Sequence, residues 1–551
     1  MSNNMRLILN YIFIIISSIA CLQGCKEETY LDPYSGGKAA LGVKFNNTAL
    51  PVPAEGSDGA TVTFQVTGLT KLDQSQIKFL FNGLEAQIIE VKDTYIKVKV
   101  PNGASTGFSS IAIQDQVFLG PKFKVLGKVD FDPELVVTTG ANRPINDYYQ
   151  LADGRMILVG GFTDYDHKGV VVPMGGIVRI REDGNVDNTF RPNGGADGGI
   201  SNIAYSNNKY FVAGSFRAYK YNPGGTSINP NINFITRINT DGSLDSVKVN
   251  TYKTPETLKQ KAVPSFNGGA DATISQIYPY QGKIIAVGNF RSYVRRRYNQ
   301  PTSAYIIAGQ TVRYDTIIID TTEIPQVMRL EEDGELDRTY RFDVNLNRGK
   351  DAGNGSIGCS YFHSDNGKLM LAGNFTKFDG NDVGRIVRLN ADGTIDNSFS
   401  VGAGANGAIY AMYFNELTKK YFVAGSFTSF NNTPALGLAM LDEHGVVETS
   451  FSSKGFSNGY PRFIKQLSNN LIIVSGSFDT YGGARRPGLM ILNPNGELAA
   501  GYNNMGVFNG SLAKVIEMKN VGGKLSLRLL GNFTQLNGTN LSHITQLTLE
   551  P

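Results

Sequence analysis

From about residue 130 onward, the chain alternates short apolar runs with clusters of turn residues. The runs are about five residues long, as in Lys368–Ala372 and Arg385–Leu389, and the clusters are rich in Gly, Asn and Asp, as in Ala391–Gly393. Apolar runs of this length between turn signals are typical of β-strands. No stretch after the N-terminal segment has the long 3.6-residue periodicity of a helical array. The pattern predicts an all-β chain.

The motif Gly-x-Phe follows an apolar run seven times. Its phenylalanines are Phe162, Phe216, Phe290, Phe375, Phe427, Phe478 and Phe533. Successive motifs begin 51 to 85 residues apart, the extremes being Gly425 to Gly476 and Gly288 to Gly373. A period near fifty residues with variable insertions marks an array of similar units. We therefore assign these phenylalanines to a structural position of the repeat.

Each repeat contains four strand-length segments, which predicts a four-stranded antiparallel blade. Seven blades arranged as a ring give a β-propeller, a fold that leaves few exposed strand edges. The last repeat, ending at Ile544–Leu549, lacks the outermost segment. The segment Val129–Leu135 resembles the outer-strand end Asp396–Phe399 of the fourth repeat. We therefore expect this early segment to complete the seventh blade, a Velcro closure.

The third and fourth segments of each repeat predict their own register. Reflection about the intervening turn places Arg179 opposite Asp187, Arg237 opposite Asp245, Arg329 opposite Asp337 and Arg388 opposite Asp396. The Asp-Gly dipeptides between them suit a tight hairpin with Gly at positive φ. In the sixth repeat both charges are replaced together, by Ile491 and Ala499; the fifth is a partial exception, with Met440 opposite Glu448. The turns lack the dense oxygen ligands of a calcium loop, so we interpret the charges as structural.

The residue pattern of the repeat between Gly373 and Phe399 resembles that of the delta-sixty repeat propellers of bacterial surface proteins. The resemblance covers about three-quarters of the chain and implies the fold. It implies no activity, because that family has no shared catalytic motif.

The N-terminus has the features of a bacterial lipoprotein export signal. Arg6 precedes an apolar core from Leu7 to Cys21, which is short for a membrane span. Leu22–Cys25 resembles a lipobox, with Gln23 departing from its usual small residue, and implies lipidation of Cys25. Lys26–Glu28 is similar to the sorting signal of Bacteroidetes surface lipoproteins. We expect the protein to lie on the outer face of the outer membrane, exposed at the cell surface and anchored there by lipid.

A small β domain is predicted between the tether and the ring. Four short strand patterns lie between Thr61 and Val100, and the residue pattern from Asn82 to Gly107 resembles the TIG (IPT) immunoglobulin-like domain. The predicted organisation is a signal peptide (1–24), a tether (25–36), the immunoglobulin-like β-sandwich (37–127) and the seven-bladed propeller (128–551). We expect the sandwich to be a rigid stalk, with the long-loop face of the ring pointing outward.

Composition narrows the classes of function. The net charge is only +4 and the pI about 8.6, which does not favour nucleic-acid binding. Once Cys21 is removed and Cys25 acylated, only Cys359 remains, so no disulfide and no cysteine-based metal site is expected. No catalytic motif, metal site or cofactor site is predicted. Paired carboxylates from distant blades stay open as an enzymatic alternative.

The loops point to one binding face. Turns between first and second and between third and fourth strands are short, whereas every long insertion (Arg217–Asn233, Ser246–Asp271, Arg291–Pro325 and Arg341–Ser356) belongs to the other loop set. Insertions gathered on one face are the expected mark of a binding face. Their aromatic and basic residues are the ligand candidates: Tyr219, Tyr221, Tyr293, Arg295, Arg296, Arg297 and Tyr298. For any single residue, a role in covering neighbouring blades or pairing with carboxylates is the stronger expectation.

The function expected from these features is non-catalytic binding. An extracellular glycan is the expected ligand, by analogy with surface lipoproteins of this layout, in an accessory role beside an outer-membrane transporter complex. One alternative is a polysaccharide hydrolase or lyase built on the propeller. Another is a protein-binding adaptor or adhesin.

Overall fold

The structure is a computed structural model that describes residues 41–137, 139–170, 174–219, 231–253, 257–298, 301–307, 309–315, 318–518 and 522–551. The signal peptide, Cys25 and most of the tether lie outside these residues. Apart from one 3-10 turn, Gln74–Gln76, the described secondary structure is all β. The predicted all-β class is thus confirmed.

Eight strands build the N-terminal immunoglobulin-like domain. They are Lys44–Phe45, Glu55–Gly56, Thr61–Thr67, Ile77–Phe81, Leu84–Val91, Tyr95–Lys99, Gly107–Ile113 and Gln116–Val125. Alternate residues of Thr61–Thr67 are buried, as the two-residue period of a half-buried strand requires. The rings of Phe64, Phe79, Phe81 and Phe123 contact one another in its core, at centroid distances from 4.7 to 6.1 Å.

Seven antiparallel sheets follow in chain order, one for each Gly-x-Phe motif. We number them sheets 1 to 7 and call their strands inner, middle and outer. Their bounds, in that order, are Ile145–Gln150, Met156–Gly160 and Ile177–Ile180; Ile200–Ser206, Lys209–Gly214 and Ile235–Ile238; Ile274–Tyr280, Lys283–Gly288 and Val327–Leu330; Ile357–His363, Lys368–Gly373 and Ile386–Leu389; Ile409–Asn415, Lys420–Gly425 and Leu438–Leu441; Pro461–Gln466, Ile472–Gly476 and Leu489–Leu492; and Phe508–Glu517, Leu525–Leu536 and Ile544–Leu549. The seven motif phenylalanines are all buried between sheets.

Shorter strands lie in the connections between these sheets. The second and third repeats contribute the hairpins Ser246–Lys253 with Thr257–Pro264, Ser292–Arg297 with Ile318–Glu323, and Pro301–Ile307 with Gln310–Asp315. Small hairpins join Phe342–Asp343 to Arg348–Gly349, Lys377–Phe378 to Asn381–Asp382, and Ser429–Phe430 to Thr433–Pro434. Phe456–Ser457, Thr480–Tyr481 and Ala484–Arg485 form a three-stranded edge, and Thr539–Asn540 extends sheet 7.

The ring closes through an early strand, as predicted. Val129–Phe131 pairs with the outer strand of sheet 7, with Phe131 opposite Leu547 and Val129 opposite Leu549. Sheet 7 then meets sheet 1 through Lys514 Nζ and Asp147 Oδ1, which lie 2.9 Å apart. Both ends of the array are therefore held in one sheet.

The predicted fourth strand is shorter than expected in sheets 1 to 6. It is reduced to single bridges: Ile180–Val186, Ile238–Leu244, Leu330–Leu336, Leu389–Ile395, Leu441–Val447 and Leu492–Leu498. In sheet 4, Asp396 Oδ1 accepts hydrogen bonds from Ser398 N (2.9 Å) and Ser398 Oγ (2.6 Å). This local turn begins at Asp396, directly after the bridge residue Ile395. It ends the strand because the aspartate side chain replaces a strand partner as hydrogen-bond acceptor.

The mirrored charges have the predicted register. Arg Nε and Asp Oδ2 lie 2.6 to 2.8 Å apart in the four predicted pairs. In sheet 4, Asp396 also binds Lys368 Nζ at 2.8 Å, and Arg388 Nη1 donates to Glu443 O of sheet 5 at 2.6 Å. Sheets 1 to 3 repeat this bond to the next sheet through Arg179, Arg237 and Arg329. We call each such Arg–Asp cluster a charged corner; it joins neighbouring sheets.

The N-terminal domain docks against sheets 6 and 7. Thr106 N donates to Asn504 O (2.9 Å), Lys122 Nζ donates to Asn537 O (2.8 Å), and buried Arg486 donates to Gly103 O. Asn504 and Asn537 lie in the loop set that carries the long insertions of other sheets. The domain therefore attaches on the insertion side of the ring, which corrects the expectation of a stalk that leaves this face free.

Candidate functional site

Two predicted ligand tyrosines are buried in the ring. Tyr219 and Tyr293 are 0% and 3% exposed, and their hydroxyls donate to Gly242 O and Gly334 O at 3.0 and 2.9 Å. Burial, the largest effect, raises the pKa of both phenols. A ligand cannot contact these rings without opening the packing. The expectation that they face a ligand is therefore corrected to a structural role.

A repeat signal could have revealed this role. Tyr219 and Tyr293 each follow the motif phenylalanine by three residues, and Tyr165, Phe378, Phe430 and Tyr481 occupy the same place in other repeats. All of these rings are buried, and the hydroxyls of Tyr165 and Tyr481 also donate to turn glycines, Gly184 and Gly496. An aromatic residue at a fixed offset in six repeats indicates packing rather than specificity.

The other described candidates lie together on the insertion hairpin of sheet 3. Arg295, Arg296 and Arg297 end the strand Ser292–Arg297, and Tyr298 follows it. Tyr221 and Cys25 lie outside the described residues. The four candidates line a cleft of 310 Å³, whose other wall is the hairpin of sheet 2 with Val247, Val249, Val263 and Pro264. The structure thus brings four of the seven candidates to one place.

Two of these arginines are neutralised within the chain. Arg295 pairs with Asp333 at 3.3 Å and also with Glu335, while Arg297 pairs with Asp320. Asp333 and Glu335 belong to a third-to-fourth strand turn, which was expected on the opposite face. The sheet 3 insertion therefore reaches along the outer rim to the other loop set. The predicted separation of the two faces is incomplete here.

Arg296 differs from its neighbours because no carboxylate pairs with it in the described part of the chain. Its Nη1 donates to Asn233 Oδ1 at 3.0 Å, and its backbone N–H donates to Asn267 Oδ1 at 3.3 Å. Burial lowers the pKa of Arg296, and nearby Arg217 adds to this effect. Burial also raises the pKa of Tyr298. Asn233 and Asn267, which sequence reasoning missed, thus hold a half-buried cation open towards the cleft.

The position of the sheet 2 hairpin explains how the cleft forms. Ser246–Lys253 begins directly after Asp245, and Ser265 N donates to Asp245 O at 3.0 Å where the hairpin returns. The hairpin therefore replaces the tight turn that follows the aspartate in other repeats. Its first strand lies beside Gln310–Asp315 of the sheet 3 insertion. Two insertions from neighbouring sheets meet at the rim.

Two further features, a metal site and a membrane-spanning helix, can be judged in the described residues. These contain no group of three or more His, Cys, Asp or Glu side chains placed to hold a metal ion. Within the same residues, no helix has the length and apolar character needed to cross a bilayer.

Comparison with known proteins supports the two-part architecture. Domain of unknown function DUF5008 matches residues 18–121, and the DUF5122 beta-propeller matches residues 151–190, 365–399 and 467–498, in sheets 1, 4 and 6. No curated protein matches the chain.

Several solved structures are similar at low identity. The computationally designed Ika8 protein is 10% identical, with 76% of this chain and 99% of that chain covered, at a TM-score of 0.35. Auxiliary nutrient binding proteins from Bacteroides thetaiotaomicron VPI-5482 and Bacteroides ovatus ATCC 8483 are 10% and 11% identical, with TM-scores of 0.31 and 0.28. Each covers 92% of this chain and 99% of its own. The chain thus combines an N-terminal immunoglobulin-like domain, which is similar to DUF5008, with a β-propeller that is similar to DUF5122.

Proposed function

We propose that the protein is a cell-surface lipoprotein that binds an extracellular glycan at the cleft between the insertions of sheets 2 and 3. The observation that carries this proposal is Arg296, a half-buried arginine that no described carboxylate neutralises. Insertions elaborate a scaffold where specificity is needed. Here two of them converge on the same arginine.

The chemistry of the cleft suits a ligand rich in oxygen. An arginine offers five N–H donors in a planar fork, and Asn233 occupies only part of this capacity. Sugar hydroxyls and carboxylates are acceptors that match such a fork. Tyr298 adds an aromatic surface beside it, and 310 Å³ lies near the lower end of the volumes of small-molecule sites.

The proposal includes the cellular location of the protein. The apolar segment Leu7–Cys21 and the lipobox-like Leu22–Cys25 support acylation of Cys25. Acyl chains contribute about 0.8 kcal/mol per buried methylene, so several chains anchor a protein stably. We place the protein on the outer face of the outer membrane, as an accessory of a nutrient-uptake transporter complex.

Affinity electrophoresis in gels that contain polysaccharides tests the binding proposal. We expect a polysaccharide in a panel of neutral and acidic glycans to retard the wild type, and Arg296→Gln and Tyr298→Ala to abolish the retardation with unchanged melting temperature. Arg143→Gln, at an exposed arginine of the loop before sheet 1, is the matched control and should behave as wild type. Equal retardation of the wild type and Arg296→Gln would refute the cleft as the binding site.

The same preparations separate the alternative functions. Soluble sugars released from any polysaccharide would identify a hydrolase or lyase. Co-purification of a membrane protein without any glycan effect would identify an adaptor. The proposed membrane anchoring is tested with Cys25→Ala, which should move the protein from the membrane fraction to the soluble fraction. Protease resistance of the wild type on intact cells would contradict a surface location.

A further inference from the structure

Every inner strand of the ring contains a β-bulge at the same place. In sheets 1 to 6 one extra residue lies between the first two paired residues, as Arg462 does between Pro461 and Phe463. In sheet 7 the inner strand begins earlier, and Ala513 lies between Leu512 and Lys514. The seven extra residues are Asn146, Ser201, Ser275, Gly358, Tyr410, Arg462 and Ala513. Bulges re-aim side chains and are common next to functional sites. Inner strands of neighbouring sheets contact one another around the ring, and the junction of sheets 3 and 4 is joined by Tyr278 Oη and Ser360 Oγ at 2.9 Å. The bulge residues therefore surround the central mouth of the ring on the insertion side.

A second set of residues surrounds the same mouth. The glycine of each Gly-x-Phe motif pairs with the residue just before the bulge, so the middle residue of the motif lies at the same level. These residues are Gly161, Ser215, Asn289, Asn374, Ser426, Ser477 and Asn532. In the two sets together, Arg462 is the only charged residue. Apart from Gly161, Gly358 and Ala513, the two sets therefore offer neutral hydrogen-bonding side chains and one cation, and Arg385 beside them donates to Asn374 Oδ1 at 2.8 Å.

Aromatic rings hold this cation at the mouth. The guanidinium of Arg462 lies 4.7 Å from the centroid of the Tyr410 ring, and Tyr410 Oη lies 3.1 Å from Ser426 Oγ. The Tyr460 ring is 48% exposed, with its centroid 6.5 Å from that of Tyr410. No carboxylate pairs with Arg462 among the residues that the structure describes. An exposed arginine stacked on tyrosine is oriented in advance for a planar anion.

Two grooves lead away from this group. A groove of 550 Å³ between sheets 6 and 7 is lined by Arg462 and Arg485, with Asn509, Ser511 and Asn532 between its walls. Its one carboxylate, Asp479, accepts a hydrogen bond from Asn458 at 2.9 Å. A second groove of 490 Å³, between sheets 5 and 6, includes Tyr460, Ser426 and Lys454, whose ammonium group pairs with Glu497 at 2.9 Å. An extended ligand that crosses the mouth would therefore meet tyrosine faces, neutral polar groups and cations.

From this arrangement we propose a second ligand site at the channel mouth, for an oligosaccharide that carries carboxylates. Arg462 binds a sugar carboxylate through two parallel N–H···O bonds, which are stronger than neutral hydrogen bonds. Tyr460 packs on a sugar ring, and the serines and asparagines bind hydroxyls. The site is separate from the Arg296 cleft of sheets 2 and 3, so either proposal can fail without the other.

Calorimetric titration of the purified protein with trigalacturonate tests this site, with galactotriose as the neutral counterpart. We expect trigalacturonate to bind, to bind more weakly as salt rises, and to bind about tenfold more weakly or worse to Arg462→Gln, since a charge-assisted bond is lost. Arg462 is exposed, so the variant should keep the wild-type melting temperature. Arg181→Gln, at an exposed arginine on the opposite side of the ring, and Arg296→Gln should both bind as wild type.

Each contrary result overturns the assignment. Absence of trigalacturonate binding by the wild type refutes the site. Equal affinity of the wild type and Arg462→Gln moves the site elsewhere. Equal affinity for galactotriose and trigalacturonate removes the carboxylate from recognition, and full competition by inorganic phosphate reduces the site to a general anion site. Loss of trigalacturonate binding in Arg296→Gln alone would assign this ligand to the cleft instead.

Discussion

Two regions on the insertion side of the ring use the same loop set in different ways. At sheets 2 and 3 the loops are long, form hairpins and enclose a cleft around Arg296. At sheets 6 and 7 the corresponding loops are short and bind the N-terminal domain, with Arg486 buried beneath Gly103. An arginine in each region lacks a carboxylate partner within hydrogen-bonding distance in the described residues. Of these two arginines, Arg486 is covered by the N-terminal domain, whereas Arg296 is half-buried and open to the cleft. Of the two, only Arg296 can therefore contact a ligand.

The two regions also differ in the corners of their sheets, which are charged in one and apolar in the other. Sheets 1 to 4 have charged corners, whereas sheet 6 has Ile491 and Ala499, which pack in the same apolar cluster as Phe508. Asn503 of the next loop binds both backbone groups of Ile491, at 2.9 Å to its nitrogen and 2.8 Å to its oxygen. The docked side therefore replaces charge by apolar packing and an asparagine clamp.

The largest effect is expected from breaking a charged corner. Asp396→Ala leaves Arg388, 7% exposed, without its carboxylate, and should lower the free energy of unfolding by about 3–5 kcal/mol. Asp382→Ala, which removes an exposed carboxylate 3.2 Å from Lys377, is the matched control and should change it by about 0.5 kcal/mol or less. Urea unfolding measures both. Equal losses in the two variants would contradict the structural role of the corner.

The pH dependence of the same variant sharpens this test. Burial alone would raise the pKa of Asp396, but hydrogen bonds from Lys368, Ser398 and Arg388 outweigh it and lower the pKa. The folded pKa thus lies below the unfolded value of about 3.9. The stabilisation is complete above about pH 5 and is lost as the pH falls towards the folded pKa. Asp396→Ala should therefore lose less stability than the wild type between about pH 5 and pH 2.

The next largest effect is expected at two asparagines that each bind both backbone groups of another residue. They are Asn504 on the docked side and Asn267 beside the cleft, and their loss should differ in its cost to stability. Asn504 binds Val129 N at 3.2 Å and Val129 O at 2.9 Å, and it is buried. Asn504→Ala leaves two buried backbone groups unpaired and should cost about 3 kcal/mol in urea unfolding. Half-buried Asn267, which binds the backbone of Arg296 in the same manner, is open to water, so Asn267→Ala should cost about 1 kcal/mol. The reverse order would contradict the assignment of the tighter clamp to the docked side.

Docking itself can be broken at a glycine. A Cβ atom on Gly506 would lie 2.5 Å from Thr106 O, so Gly506→Val should push the N-terminal domain away at a cost of about 1–3 kcal/mol. Small-angle scattering should show a longer particle, and limited proteolysis should cleave near Gly127. Gly161→Ala is the control, because a Cβ there meets nothing within 4 Å. An unchanged scattering profile in Gly506→Val would show that the contact is dispensable.

The smallest effect is expected at Tyr293. Tyr293→Phe removes one buried hydrogen bond to Gly334 and should cost about 1 kcal/mol in thermal or urea unfolding, with no change in glycan retention. Phe378 and Phe430 already fill the equivalent place in sheets 4 and 5. Loss of retention with unchanged stability would restore Tyr293 to the ligand site.

The sequence predicts those parts of the molecule that repeat. The Gly-x-Phe spacing and the mirrored Arg388 and Asp396 report local hydrogen bonding, which recurs in each unit, so the sheets, their register and the closing strand could all be anticipated. Tyr219 and Tyr293 also carry a repeat signal, the aromatic residue three places after the motif phenylalanine, whereas the side-chain directions of the insertion arginines have no such signal. The contact of Gly103 with Arg486 joins two unrelated segments, so no periodic pattern predicts it. The bulges at Tyr410 and Arg462 recur in every sheet, but the seven extra residues share no residue type that would mark them in the sequence.

The closing strand also sets an order of events during folding. Val129–Phe131 and its partner Ile544–Leu549 lie more than 400 residues apart in the sequence. Bringing two such distant segments together costs conformational entropy before their pairing repays it. The three strands of each sheet are close in sequence, so the sheets can form first, with Val129–Phe131 as an unpaired edge until the ring closes.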